Sequence, residues 1–361
     1  MACLLPLLSS LERQEEGVLV GNKRGTLQIF KSRHGNHHQN EPLLIDNKAA
    51  AFLEKDQTNG ETFRRPSPVF CLDATPDGAL VFSGAGDRYV SVWEKEKDNG
   101  DCWNCIETLG PHTGWVRSIL YNSATDRLHS IGCNCIETWC RRCQDDSGQW
   151  QHWKKSTIES SPEEGATLSS DLLCLCPLLL GDDSVYFVAG GVDGRLHVWD
   201  SHSMGKPLFS APAAHDGRVN AMEFSKKSNL LVTAGNDGKV KCWKCHIADH
   251  RIDLVGEFVV VGDEQEESSR VTCLWTQDFG GVHDYIFCGT NVGEVLLLKL
   301  PNGSPPLKLT TTFQLAQRPI VHCLCMYKEK NQEEPDLWVG HSNGLSVFSL
   351  KSFASLKSLS S

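Results

Sequence analysis

No stretch of this 361-residue chain approaches the roughly 18 consecutive apolar residues that a membrane-spanning helix needs. The opening MACLLPLLSS is apolar but lacks a basic flank, which argues against a secretory leader and for a strand. Positive charge is in the minority. With 35 Lys and Arg against 45 Asp and Glu, the formal net charge is -10, which disfavours binding nucleic acid or an anionic membrane through the whole surface and leaves only local patches open. The HExxH and phosphate-loop patterns of common metal-dependent hydrolases and nucleotide enzymes are also missing. These features argue against the usual catalytic classes and against a membrane-spanning helix and favour a binding or structural role, with no cofactor implied. Sixteen cysteines without a convincing leader point to free thiols in a reducing compartment, the cytosol or nucleus.

What is present is repetition. The clearest unit runs from His215 to Trp243, HDGRVNAMEFSKKSNLLVTAGNDGKVKCW. Three short apolar runs, around Val219 to Phe224, Leu230 to Thr233 and Val240 to Trp243, are separated by Lys226, Lys227 and Ser228 and by the turn Asn236, Asp237 and Gly238. Three strands joined by short turns cannot bury both faces alone, so they must stack on copies of themselves. Similar units recur, and together they predict one domain over 1–361 with blades at about 1–46, 67–109, 112–160, 171–211, 215–261, 269–315 and 319–361. Residues 47 to 66 read as an irregular polar excursion between units, and outer strands are expected near Ile106, at Ser156 to Ile158, within Leu254 to Val261 and in the tail from Phe353 to Leu359.

Two internal checks support the repeat. Thr233, Asp237 and Trp243 share their spacing with Ser83, Asp87 and Trp93, and Ala189, Asp193 and Trp199 keep it. In the first strand of each unit one position is always small (Cys3, Cys71, Ser118, Cys174, Ala221, Cys273 and Cys323) and the next is always apolar. A strand pressed by neighbours on both faces needs a small side chain where backbones approach, because interiors are close-packed. Five cysteines are thereby explained as small core residues.

These residues resemble the Trp-Asp (WD) repeat family of β-propellers, although the literal pair occurs once, at Trp199 and Asp200. The resemblance implies an all-β, seven-bladed propeller with four-stranded antiparallel blades. Many members of that family lend an N-terminal strand to the last blade, but this chain starts almost directly on an innermost strand. If Phe353 to Leu359 supply the last outer strand, the ring closes by side-chain packing without strand exchange. The resemblance also implies that His215, Thr233, Asp237 and Trp243 form a buried hydrogen-bonded set within one blade, structural rather than catalytic. Partial sets are His112, Ser130 and Trp139, which lacks the Asp; Ser83, Asp87 and Trp93, which lacks a nearby His; and Asp193 with Trp199.

One metal reading arises, a zinc site from Cys102, Cys105, Cys140 and Cys143, because two CxxC pairs give four thiolates. Free thiols on separate blades are the alternative, and no metal is assigned. A propeller brings the second-to-third-strand turns and the entries to first strands onto one rim, which should carry Arg24, Arg88, Arg117, Arg195, Arg218, Arg270 and Arg318 with Phe70 and Trp115 as apolar anchors. Guanidinium groups fork onto carboxylate or phosphate while rings bury area, so this rim suits acidic or phosphorylated peptide segments of protein partners in a multi-subunit complex. Alternatively, the arginines are solvated or paired with turn aspartates and the acidic run at 263–267. The expected function is a non-catalytic scaffold or adaptor. Two others remain open, a substrate receptor of a ubiquitin ligase and an assembly factor in RNA or ribosome processing. The receptor reading is weakened by Trp139-Cys140-Arg141-Arg142 and Trp199-Asp200-Ser201-His202, each one residue short of the Trp-Asp-x-Arg that such receptors show.

Overall fold

The computed structural model of the chain describes residues 2–7, 17–23, 27–33, 44–48, 51–55, 62–63, 67–95, 102–141, 153–155, 170–180, 185–202, 207–211, 214–260, 269–278, 284–300, 306–328 and 335–349. All regular elements among them are strands. The first sheet joins β1 (Ala2–Leu7), β2 (Gly17–Asn22), β3 (Leu27–Arg33) and β4 (Leu44–Lys48). Next come β5 (Ala51–Lys55), β6 (Thr62–Phe63), β7 (Val69–Ala74), β8 (Leu80–Ala85), β9 (Val90–Lys95) and β10 (Cys102–Leu109), in the spatial order β6-β5-β10-β9-β8-β7. The third sheet holds β11 (Val116–Asn122), β12 (Arg127–Gly132), β13 (Cys135–Arg141) and β14 (Trp153–Lys155), and the fourth β15 (Leu172–Leu178), β16 (Tyr186–Gly191), β17 (Leu196–Asp200) and β18 (Phe209–Ala211). The fifth is β19 (Val219–Ser225), β20 (Leu230–Gly235), β21 (Lys239–His246) and β22 (Arg251–Val259). The sixth is β23 (Val271–Asp278), β24 (Asp284–Thr290), β25 (Glu294–Leu300) and β26 (Lys308–Gln314), and the last is β27 (Val321–Tyr327), β28 (Asp336–His341) and β29 (Gly344–Ser349).

This all-β propeller corrects the expected seven four-stranded antiparallel blades. Six blades carry four or more strands, and the last sheet has three among the described residues. The second blade has six, because β5 pairs in parallel with β10, Cys102 opposite Ala51 and Asn104 opposite Leu53. The polar 47–66 stretch is therefore not wholly irregular. An outer blade strand presents unpaired backbone groups, and β5 takes up that hydrogen-bonding edge. In the third blade the outer strand is Trp153–Lys155, earlier than expected. The indole of Trp153 fixes it there, with its ring edge-on to Phe82 at 5.5 Å and to Tyr121 at 6.4 Å. The tail at 353–359 lies outside the described residues.

The core sits between sheets. Leu230, Val232 and Val240 of the fifth blade pack with Val271, Ile286 and Leu298 of the sixth, and each junction around the ring has a comparable cluster. Central strands such as β20, buried along its whole length, read as continuous apolar runs because both faces are covered. The ring closes where Val18 and Val20 meet Cys325, Tyr327, Trp338 and Val347. There β1 hydrogen-bonds to β2 alone, so the described part of the joint is side-chain packing.

Candidate functional site

The site is built from a turn repeated blade by blade. Turns between second and third strands reach the entry to the next blade: Arg88 O accepts the His112 N–H at 2.9 Å, Cys133 O that of Leu172 at 2.9 Å and Gly194 O that of His215 at 3.1 Å. In five blades the entry residue is fixed by its own turn. The carbonyls of Pro68, Asp171, Arg218, Arg270 and Ile320 accept from Gly86, Val192, Asn236, Asn291 and Ser342 at 2.8 to 3.1 Å. The turn position after the Asp has φ of 77° and 69° at Gly194 and Gly238 and 76° at Arg88, and Gly293, which follows Val292 in the sixth blade's turn, has 79°. Arg88 thus holds a left-handed backbone where its relatives use glycine, a strain that the surrounding turn must impose.

Six first strands share a further irregularity. Register slips by one between Val69 and Cys71, Val116 and Ser118, Leu172 and Cys174, Val219 and Ala221, Val271 and Cys273, and Val321 and Cys323. Phe70, Arg117, Leu173, Asn220, Thr272 and His322 are therefore bulge residues, and a bulge re-aims a side chain that would otherwise join the pleat. Asn220 donates to Val271 O at 2.7 Å and Thr272 to Val321 O at 2.5 Å. The neighbouring thiols of Cys71 and Cys174 donate to Val116 O at 3.7 Å and Val219 O at 3.5 Å. Successive blades are stitched at one level, a role that the small-residue pattern signalled only as packing.

Phe70 and Arg117 come together with Trp115. The two rings stack at 5.5 Å with 21° between planes, and the Arg117 guanidinium carbon lies 4.8 Å from the Phe70 centroid and 4.9 Å from that of Trp115. Trp115 is nevertheless 53% exposed. A guanidinium held against rings keeps its N–H edges for a carboxylate or phosphate. Arg218 and Arg270 are exposed at the entries of adjacent blades, and Arg88, Arg195 and Arg318 are exposed on turns. Arg195 lies 3.8 Å from Asp193. Arg318 falls two residues before its blade's entry position, which is Ile320, so it is not the counterpart of Arg218 and Arg270. Arg24 lies outside the described residues.

The buried polar set of the fifth blade forms a continuous chain. The Trp243 indole N–H donates to Thr233 Oγ1 at 2.8 Å, His215 Nε2 is 2.7 Å from the same oxygen, and His215 Nδ1 is 2.9 Å from Asp237 Oδ1. Thr233 accepts from the indole, so its own hydroxyl proton is available to His215 Nε2, and Nδ1–H faces the carboxylate. Burial raises the Asp237 pKa, but the His215 hydrogen bond and charge, with the Asp216 and Lys239 N–H groups, outweigh it and hold the carboxyl below its ordinary value. In the third blade His112 and the Trp139 indole meet Ser130 at 2.7 and 3.1 Å, and His112 Nδ1 is 3.1 Å from Arg88 O. A carbonyl from the preceding blade thus stands in for the missing Asp. The second blade keeps the Trp93 to Ser83 bond at 2.8 Å, with Asp87 accepting from Tyr89 N at 3.0 Å. In the fourth, Asp193 accepts from Arg195 N at 3.1 Å; Ala189 offers no hydroxyl there, and Trp199 stacks on Phe187 at 5.9 Å.

A second buried network was missed in sequence. His129 bridges Thr138 at 3.0 Å and Ser201 of the next blade at 2.9 Å, and burial pushes its pKa down to about 3. On innermost strands, burial raises Asp73 to about 6 despite N–H bonds from Tyr121 and Ala74, and Glu223 to about 8. Among the described residues no cluster of three or more His, Cys, Asp or Glu is placed to hold a metal, and the cysteines are free thiols. Cys105 lies on β10 and Cys140 on β13; the side chains of Cys102 and Cys143 fall outside the described residues, and with them the four-thiolate zinc reading.

A family model described as "WD domain, G-beta repeat" matches residues 58–94, 164–200 and 205–244, each ending one residue beyond a tryptophan, Trp93, Trp199 and Trp243. Pre-mRNA-processing factor 19 of Oryza sativa subsp. japonica is 26% identical over 235 residues, 59% of this chain and 40% of that protein. The p21-activated protein kinase-interacting protein 1-like of Danio rerio is 23% identical over 296 residues, 74% of this chain and 69% of that one. Periodic tryptophan protein 2 of Arabidopsis thaliana is 25% identical over 242 residues, 65% and 23% of the two chains. The chain therefore spans less than half the length of the rice and Arabidopsis relatives. A chain in "Crystal Structure of Mitotic Checkpoint Complex" superposes with a TM-score of 0.60 at 16% identity, covering 92% of this chain and 84% of that one, a likeness of fold. With the repeat matches falling on blades whose turns and indoles have just been described, the chain carries WD repeats in three stretches on a β-propeller fold, with no particular member assigned.

Proposed function

We propose that this protein is a non-catalytic interaction scaffold whose arginine-bearing rim binds acidic or phosphorylated segments of partner proteins within a multi-subunit complex of the cytoplasm or nucleus. WD-repeat propellers generally serve as scaffolds, and relatives named for pre-mRNA processing and for interaction with a kinase fit that class. The observation that carries the reading is Arg117. Its guanidinium is held against Phe70 and Trp115 and has no hydrogen-bond or ion-pair partner among the described residues, while Arg218 and Arg270 project from entries whose backbones are already fixed. Preorganised, unpaired cations bind anions with little ordering cost.

The test is an array of synthetic acidic and phosphorylated peptides probed with the wild type and with Arg117→Glu/Arg218→Glu/Arg270→Glu. We expect the wild type to retain a subset of peptides and the triple variant to lose it, with an unchanged melting temperature. Equal retention by both proteins contradicts the reading.

A further inference from the structure

The entry residues and bulge residues of the rim are unevenly distributed around the mouth. Taken in ring order, the described entry positions are Pro68, Trp115, Asp171, Arg218, Arg270 and Ile320. Ile320, 42% exposed, ends the series on the last sheet, and Pro68 with Phe70, then Trp115, follow it around the ring past the first sheet. Arg218 and Arg270 occupy two successive blades on the other side. Between Trp115 and Arg218 stands Asp171, which is exposed and would repel an acidic group. The entry positions are thus divided into an apolar, aromatic arc, with the Arg117 guanidinium lying against its rings, and a cationic arc, with an acidic residue on one boundary.

Each arc is built to stay as it is. Trp115 is held by Phe70 and by Arg117, so its exposed ring is already ordered. Large aromatic side chains in such positions contribute binding area at small entropic cost. Arg218 and Arg270 sit on backbones clamped by Asn236 and Asn291, and Arg270 N donates to Asn291 Oδ1 at 2.6 Å. Charge complementarity selects the occupant of the cationic arc, and ring area selects that of the aromatic arc.

We infer that the rim recognises an extended protein segment carrying both a bulky apolar side chain, seated on Trp115 and Phe70, and an acidic or phosphorylated side chain some residues away, seated on Arg218 and Arg270. This rests on the proposed rim-binding role and adds a polarity and a second requirement to it. Acidity alone fills one arc.

A random dodecapeptide phage library, panned on the immobilised full chain, tests it. Recovered sequences should pair a bulky apolar residue with at least one acidic residue. Trp115→Ala should lower recovery of these phage at least tenfold, and Trp115→Phe should restore most of it. Arg218→Glu/Arg270→Glu should also lower it at least tenfold, with circular dichroism and melting temperature unchanged in each variant. Acidic sequences without an apolar residue, recovered equally by Trp115→Ala, overturn the inference and leave the acidic-rim reading standing. Apolar sequences indifferent to Arg218→Glu/Arg270→Glu, or no enrichment at all, overturn both.

Discussion

Thr233 serves two partners with one oxygen: it receives the Trp243 indole proton and lies 2.7 Å from His215 Nε2. Replacing it by Ala strands a buried indole N–H and a buried imidazole nitrogen, and unsatisfied buried groups cost on the order of 1–3 kcal/mol each. We expect Thr233→Ala to lose about 2–4 kcal/mol in chemical denaturation, with Thr233→Ser nearly neutral because it keeps the hydroxyl. Loss of less than about 0.5 kcal/mol in Thr233→Ala would mean that the chain from Asp237 to Trp243 does not brace the blade. These four residues gather the residue types of a catalytic site, yet their side-chain polar atoms are turned toward one another or, at Asp237, also toward the backbone N–H groups of Asp216 and Lys239. Arg117 is the opposite case, with its faces occupied and its donors open.

At the scale of strands, the first and second strands of a blade are matched in volume. Cys71, Cys174, Cys273 and Cys323 stand opposite Gly84, Gly190, Gly289 and Gly340, whereas Ala221 stands opposite Ala234. A Cβ added at Gly289 would lie 2.5 Å from Cys273 Sγ and 2.5 Å from Val321 Cγ1 of the next blade. Overpacking of this kind costs about 1–3 kcal/mol. Gly289→Ala should lower the unfolding free energy by that amount, and Gly289→Ala/Cys273→Ala should recover the part due to the Cys273 thiol, leaving the contact with Val321. An unrecovered double variant would contradict volume matching. The same pairing explains what the sequence could and could not disclose. The small residues, the turn aspartates and the indoles recur at fixed spacing, so the repeat and the polar sets were legible. The bulges at Phe70 and Arg117 were not, because one extra residue leaves the apolar pattern intact, although the recurring apolar-x-small triplet marks the place. The strand β5 was hidden because its pairing is with the distant Cys102 to Asn104, and a parallel edge contact leaves no local signature. A rim read by its arginines passes over Ile320 and Asp171, which hold entry positions on their blades.

At the scale of the molecule, the interblade clusters make a rigid ring whose blades differ little in the core and much on the rim. Stability and recognition are thereby separated: side chains such as Val232, Val271 and Ile286 hold adjacent blades together, while exposed Trp115, Arg218 and Arg270 can vary without touching that core. The account therefore expects rim charge to govern partner choice and to leave folding untouched. The most direct measurement is affinity purification with quantitative mass spectrometry on the wild type and on Arg117→Glu/Arg218→Glu/Arg270→Glu, beside thermal melts of both. The account predicts partners recovered at least tenfold less by the variant at an unchanged melting temperature. Equal recovery by the two proteins would contradict it.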